Sequence, residues 1–221
     1  MSTQPSTRIP QHARLPRIRE VMGEQGIWAL LVPSADPHLS EYLPAYWQGR
    51  QWLSGFNGSV GTLVVTAHFA GLWADSRYWE QAEQELAGSG IVLMKLMPGQ
   101  PGPLDWLAEH AGPGDVVAVD GAVMALASVR TLRDKLHARE ARLDTHQDWL
   151  ARVWEDREAL PTHPVTAHAL PYASQGRSEK LAALRQAVAE KGANWHFLAT
   201  LDDIAWLFNL RGSDVPYNSR S

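Results

Sequence analysis

The chain is 221 residues long, 45% hydrophobic and 20% charged, with a net charge of −4 and its acids and bases interspersed. That length carries one well-buried domain and part of a second, and the charge pattern offers no basic footprint for nucleic acid or an anionic membrane. The absence of cysteine removes disulfides, thiolate metal ligands and cysteine nucleophiles together.

In chain order, Met1 to Ala13 is polar and proline-containing, without the apolar core of a signal peptide. No apolar stretch approaches the ~20 residues that span a bilayer, so the expected location is the cytoplasm. Leu15, Ile18 and Met22 recur at helical spacing before Gly23 and Gly26, which predicts a first helix. Ile27 to Val32 is an unbroken apolar run ended by Pro33, the pattern of a strand buried on both faces. Gly61–Thr66 and Ala70–Trp73 predict a hairpin turning at His68. A helix over Tyr78–Leu86, closed by Gly88 and Gly90, precedes a strand over Ile91–Leu96, a short helix over Pro103–His110, a strand over Val116–Val119 and a helix over Val123–His137. Strands interleaved with helices predict an α/β sandwich built on a mixed sheet.

The first domain is expected to close near Trp149–Trp154, within 1–159. Residues 160–176 hold three prolines and little periodicity and are expected to be a linker. From there the opening grammar repeats. Leu184–Thr200, LRQAVAEKGANWHFLAT, follows the same order of helix, glycine and apolar run as Arg17–Val32, RIREVMGEQGIWALLV. In this second unit, 177–221, Ser178 is expected to cap a helix carrying Leu181, Leu184 and Val188. Asn194–Thr200 is expected to be a strand, and Thr200 with Asp203 a capping box for a helix through Phe208. One strand and two helices do not enclose a core, so the second unit is expected to be incomplete, exposing Leu181, Leu184, Ile204, Trp206 and Phe208.

Chemistry-bearing patterns are few. The nine histidines include no HExxH and no i, i+4 helical pair; His163 and His168 lie in the predicted linker. No GxSxG elbow marks a serine nucleophile. The cluster Gly55–Phe56–Asn57–Gly58–Ser59–Val60–Gly61–Thr62 has no lysine after its last glycine, and a Val/Thr-rich strand follows it where a phosphate loop needs a helix. Its glycines and Asn57 are expected to supply positive φ at the entry to that strand. Asp75–Ser76–Arg77–Tyr78–Trp79 falls at the end of a strand and the start of a helix, where open α/β sheets present ligand-binding groups. Arg77 there is either a fork for a carboxylate or peptide carbonyl, or merely the ion-pair partner of Asp75.

Four ordered segments carry a resemblance: Pro33–Ser34–Ala35–Asp36–Pro37–His38–Leu39–Ser40–Glu41–Tyr42, then Ser54 to Thr62, then Trp73–Ala74–Asp75–Ser76–Arg77–Tyr78, then Leu201–Asp202–Asp203–Ile204–Ala205–Trp206–Leu207–Phe208–Asn209–Leu210–Arg211–Gly212–Ser213–Asp214. Together they resemble the Xaa-Pro aminopeptidases (aminopeptidase P) of the three-domain cytosolic type, from about Leu15 to Asn218. The resemblance implies a creatinase-type, RNase H-like N-terminal domain followed by an incomplete second copy, with the catalytic C-terminal domain not represented. It implies a metallopeptidase that removes the first residue from peptides with proline second, using two manganese ions held outside this chain, and a homodimer in full-length form. It implies substrate contacts from Arg77 and His38, no catalytic residue or metal ligand here, and no activity of the chain alone. Ser76 departs from the glycine usual at that place, and the family continues past Tyr217–Asn218 with a proline and a strand. The alternative is a self-standing binding or assembly module without catalysis.

Overall fold

The computed structural model describes residues 9–215. The readings placed on Met1–Arg8 and on Tyr217–Ser221 lie outside the described residues. The first helix, α1, spans Gln11–Glu24 and leads into strand β1, Ala29–Pro33. A short helix α2, Gly49–Ser54, precedes the hairpin of β2, Thr62–Thr66, and β3, Ala70–Ala74. Helix α3, Trp79–Glu85, strand β4, Val92–Lys95, and helix α4, Pro103–His110, follow. Strand β5, Val116–Ala118, helix α5, Leu126–His137, and strand β6, Arg142–Asp144, complete the first unit's regular structure.

The six strands form one mixed sheet in the order β4-β3-β2-β1-β5-β6. β1 is its hinge of direction: it pairs antiparallel with β2 and parallel with β5. Alternation along the strands explains why both faces are covered. Leu30, Val32, Leu63, Val65 and Leu72 pack with Leu15, Ile18 and Met22 of α1 and with Leu53 and Ala82 of α2 and α3. Ala29, Leu31, Val64 and Trp73 point the other way and pack with Leu107 of α4 and Leu132 and Leu136 of α5. Trp149, Leu150, Val153 and Trp154 return to the first of these cores.

Three local expectations are corrected here. The helix expected to start at Val123 starts at Leu126, because Gly121–Val123 forms a 3-10 turn and Met124–Ala125 is extended. α2 and β6 were absent from the sequence reading; at six and three residues they are too short to show a period. Of the glycine cluster only Gly55 has a positive φ, 78°, as the left-handed cap of α2; Asn57 does not.

The second unit differs more. Its helix α6 spans Arg177–Glu190 with Gly176, not Ser178, at the N-cap, so Ser178 already lies inside the helix. Asn194–Thr200 is no strand: no ladder forms along it, and Trp195 and Phe197 are 79% and 76% exposed. Helix α7, Leu201–Phe208, is capped at Thr200, but the Thr200 hydroxyl donates to the Asp203 carboxylate rather than closing a backbone capping box. The segment expected to be a bare linker instead contributes β7, Thr166–Ala167, which pairs antiparallel with β8, Leu210–Arg211. His168 N–H donates to the Asn209 carbonyl, and His163 donates to Asp214, extending that ribbon on both sides. Lys180, 6% exposed, ties α6 to α7 by donating to the Trp206 carbonyl at 2.8 Å and to Asn209 Oδ1 at 2.7 Å. Trp206 and Phe208 are exposed, whereas Leu181, Leu184 and Ile204 are half-buried.

Hydrogen exchange checks the contrast between the two copies. The amides of Leu30–Val32 are expected to exchange at the rate of global opening, and those of Asn194–Thr200 at loop-like rates. Equal protection in the two segments would show that the second one pairs after all.

Candidate substrate-contact site

The carboxyl ends of β1 and β3 lie side by side with the loop that enters β2, and a cleft of about 290 Å³ opens there. Ser34, Glu41, Tyr42, Arg50, Asn57 and Ser59 are among the residues lining it. Its floor is organised by Arg50, which α2 carries and which is only 4% exposed. The Arg50 guanidinium donates from Nε to Ser34 Oγ at 2.8 Å and from its two Nη groups to the carbonyls of Phe56 and Gly58. Among the described residues it makes no ion pair. Burial pulls its pKa down to about 10, with Glu85 opposing that shift through its charge, so the group stays cationic near neutrality.

The glycine-rich loop therefore aims acceptors inward at a cation. A phosphate cradle would aim N–H groups at an anion, so the geometry agrees with the rejection of that reading. The loop is also tightly filled. A Cβ on Gly58 would lie 2.2 Å from the Phe56 ring and 2.8 Å from the Tyr78 ring. Asn57 N–H donates to Glu85 of α3 at 2.7 Å, and Ser59 Oγ meets Tyr78 Oη at 2.7 Å. These contacts fasten the loop to α3 and to the turn Ser76–Tyr78, a single 3-10 turn between β3 and α3.

That turn presents Arg77, whose side chain is 67% exposed. Asp75 caps the turn: its Oδ1 accepts from the Arg77 backbone N–H at 3.0 Å and from Nε at 2.9 Å, while Oδ2 accepts from Nη2 at 2.8 Å. The guanidinium also lies over the Tyr78 ring, 5.3 Å from its centroid. The hydrogen bond from Arg77 holds the Asp75 carboxyl below the usual carboxylate range, and Asp75 in turn raises the Arg77 pKa, with Glu41 adding to the same effect. Arg77 is thus paired with Asp75 and still faces solvent.

His38 goes elsewhere. Asp36, 1% exposed, accepts the backbone N–H groups of His38 and Ser40 at 2.9 Å each and shapes the loop after β1. The His38 ring is then used on the second unit, Nδ1 to the Ala199 carbonyl at 2.7 Å. The structure does not bring His38 and Arg77 into one contact set. Arg50, Tyr78 and Ser59 were missed as parts of the site. The only hint in the sequence was an arginine four residues before Ser54–Gly55, and burial is what gives it meaning. No group of three or more His, Cys, Asp or Glu among the described residues could hold a metal ion, so they do not fit a two-metal centre. No helix among them is long and apolar enough to cross a membrane.

The sequence model described as the Creatinase/Prolidase N-terminal domain matches residues 14–153, and a second model of the same description matches 156–220. The chain belongs to the creatinase/prolidase N-terminal domain family. The paired matches agree with the internal duplication, and the mixed sheet with its flanking helices is the fold of this family. The chain is 38% identical over 207 residues to the Probable Xaa-Pro aminopeptidase P of Aspergillus niger, covering 93% of this chain and 34% of the relative. It is 35% identical over 207 residues to the protein of the same name from Paracoccidioides brasiliensis, again covering 93% and 34%. The crystal structure of X-prolyl aminopeptidase from Caenorhabditis elegans, described as a cytosolic enzyme with a di-nuclear active site, superposes with a TM-score of 0.88 at 31% identity over 96% of this chain and 36% of that one. This creatinase/prolidase N-terminal region therefore spans about a third of the length of the relatives it matches.

Two measurements follow from the site. Gly58→Ala is expected to cost about 1–3 kcal/mol by overpacking, read as a lowered thermal midpoint. Gly23→Ala, with nothing within 4 Å of its Cβ, should be neutral or slightly stabilising. Because the folded Asp75 pKa is depressed, its pairing contributes above the ordinary aspartate value of about 4 and is lost as pH falls through the folded value. A carboxyl NMR titration should place the Asp75 midpoint below that of an unpaired aspartate, and Arg77→Ala should return it upward.

Proposed function

We propose that the chain serves as the N-terminal region of a metal-dependent Xaa-Pro aminopeptidase, contributing substrate contacts and assembly rather than bond cleavage. The observation that carries this is the 0.88 TM-score over 96% of the chain with an X-prolyl aminopeptidase. On this reading residues 1–159 form the first domain, 160–176 a connection and 177–221 the first part of a second, related domain. Hydrolysis belongs to a catalytic region outside these residues that holds two metal ions, manganese by the family resemblance. The substrate is a peptide with proline second, the complete enzyme is a cytoplasmic homodimer, and Arg77 is the group offered to the peptide, supported by its exposure on a turn that Asp75 caps and that Ser59 fastens through Tyr78. His38 is a second substrate-binding candidate through the resemblance, although its Nδ1 is already engaged by Ala199.

The second reading is a self-standing binding or assembly module. The exposure of three large apolar side chains in the second unit, Trp195, Phe197 and Trp206, favours it, since exposed apolar surface is what a partner covers. Sequencing the gene beyond the codon for Ser221 separates the two. An in-frame continuation into a segment rich in Asp, His and Glu supports the peptidase reading, and a stop codon there supports the module.

Kinetics give the sharper test. The 221-residue chain alone should release no residue from Xaa-Pro peptides with added manganese. In the complete enzyme Arg77→Ala should raise KM about tenfold, as expected for the loss of a charge-assisted hydrogen bond worth about 1.5 kcal/mol, while the circular dichroism spectrum stays the same. Unchanged kinetics in that variant would return Arg77 to a purely structural role.

A further inference from the structure

The way Arg77 is already paired determines what it can still recognise. A guanidinium has five N–H donors in a fixed plane. Asp75 takes the Nε and Nη2 donors along one edge of the fork, at 2.9 and 2.8 Å, and is itself held by the Arg77 backbone N–H at 3.0 Å. The turn thus fixes the carboxylate in place, and Ser59 fixes the neighbouring Tyr78 ring over which the guanidinium lies. Among the described residues three donors remain without a hydrogen bond: both on Nη1 and the outer one on Nη2. They form the end of the fork, on a side chain that is 67% exposed.

The charge of that end is already answered. An incoming carboxylate would meet a guanidinium whose positive charge is opposed by Asp75, with Glu41 adding further negative charge nearby. A peptide carbonyl carries no net charge, so it gains the remaining hydrogen bonds without opposing Asp75. The geometry points to Asp75 as a specificity-determining residue that acts through Arg77, making the fork a hydrogen-bond donor for a neutral backbone carbonyl of the peptide rather than an anchor for its terminal carboxylate. This rests on the reading of Arg77 as a substrate contact.

The test uses the complete enzyme and matched Xaa-Pro tripeptides and tetrapeptides, each with a free carboxylate or a C-terminal amide. The unmodified enzyme should show KM values for acid and amide within about twofold of each other. Asp75→Asn and Asp75→Ser keep an acceptor for the turn and remove the negative charge. Either should lower KM for the acid relative to the amide by about fivefold, the scale of an exposed ion pair, with kcat little changed. A purely structural Asp75 would instead alter both substrates equally. An unmodified enzyme that strongly prefers the acid, or Asp75 variants with an unchanged acid-to-amide ratio while Arg77→Ala still raises KM, would overturn the assignment to Asp75 alone. An Arg77→Ala enzyme with unchanged KM would overturn this inference together with the reading on which it rests.

Discussion

The buried guanidinium of Arg50 is the contact on which the rest of the site depends. A cation at 4% exposure with no carboxylate against it is costly unless its donors are filled. Here they are filled by backbone carbonyls of Phe56 and Gly58 and by the Ser34 hydroxyl, so one side chain links α2, the end of β1 and the entry to β2. The arrangement also explains the sequence around it. Gly58 lacks a side chain because the Phe56 and Tyr78 rings occupy the space, and Gly55 must take a left-handed conformation so that the chain can leave α2 and pass back over Arg50.

From that floor the order of the site propagates outward by short steps. The loop holds Tyr78 through Ser59 and holds α3 through Glu85, and the turn between β3 and α3 cannot drift without breaking both. Arg77 sits on this turn, exposed yet oriented. An arginine on a flexible loop would keep its side-chain and backbone freedom; here three hydrogen bonds to Asp75 restrict both. The site shares its foundations with the core, since Phe56 is fully buried with Leu53 and Leu72 beneath the cleft.

Much of this was legible in the sequence where one residue type has one physical consequence. Pro103 at the start of α4 and the glycines after α3 delimited their helices to the residue or nearly so, and the apolar run at Ile27–Val32 marked the central strand. The failures share a cause. Asn194–Thr200 copies the apolar pattern of Ile27–Val32, but a strand exists only when another strand pairs with it, and none does among the described residues. Arg50 looks like any surface arginine until α2 turns it inward, and a six-residue helix shows no periodicity that would announce this. Ser178 has the chemistry of a cap, yet Gly176 two residues earlier takes the extended backbone that a cap requires.

The bond between His38 and Ala199 joins residues 161 positions apart and touches both units of the chain. A carbonyl can only accept, so the hydrogen must reside on Nδ1 whether the imidazole is neutral or cationic. With its hydrogen on Nδ1 committed to that seam, the neutral imidazole turns an Nε2 lone pair toward any visiting donor.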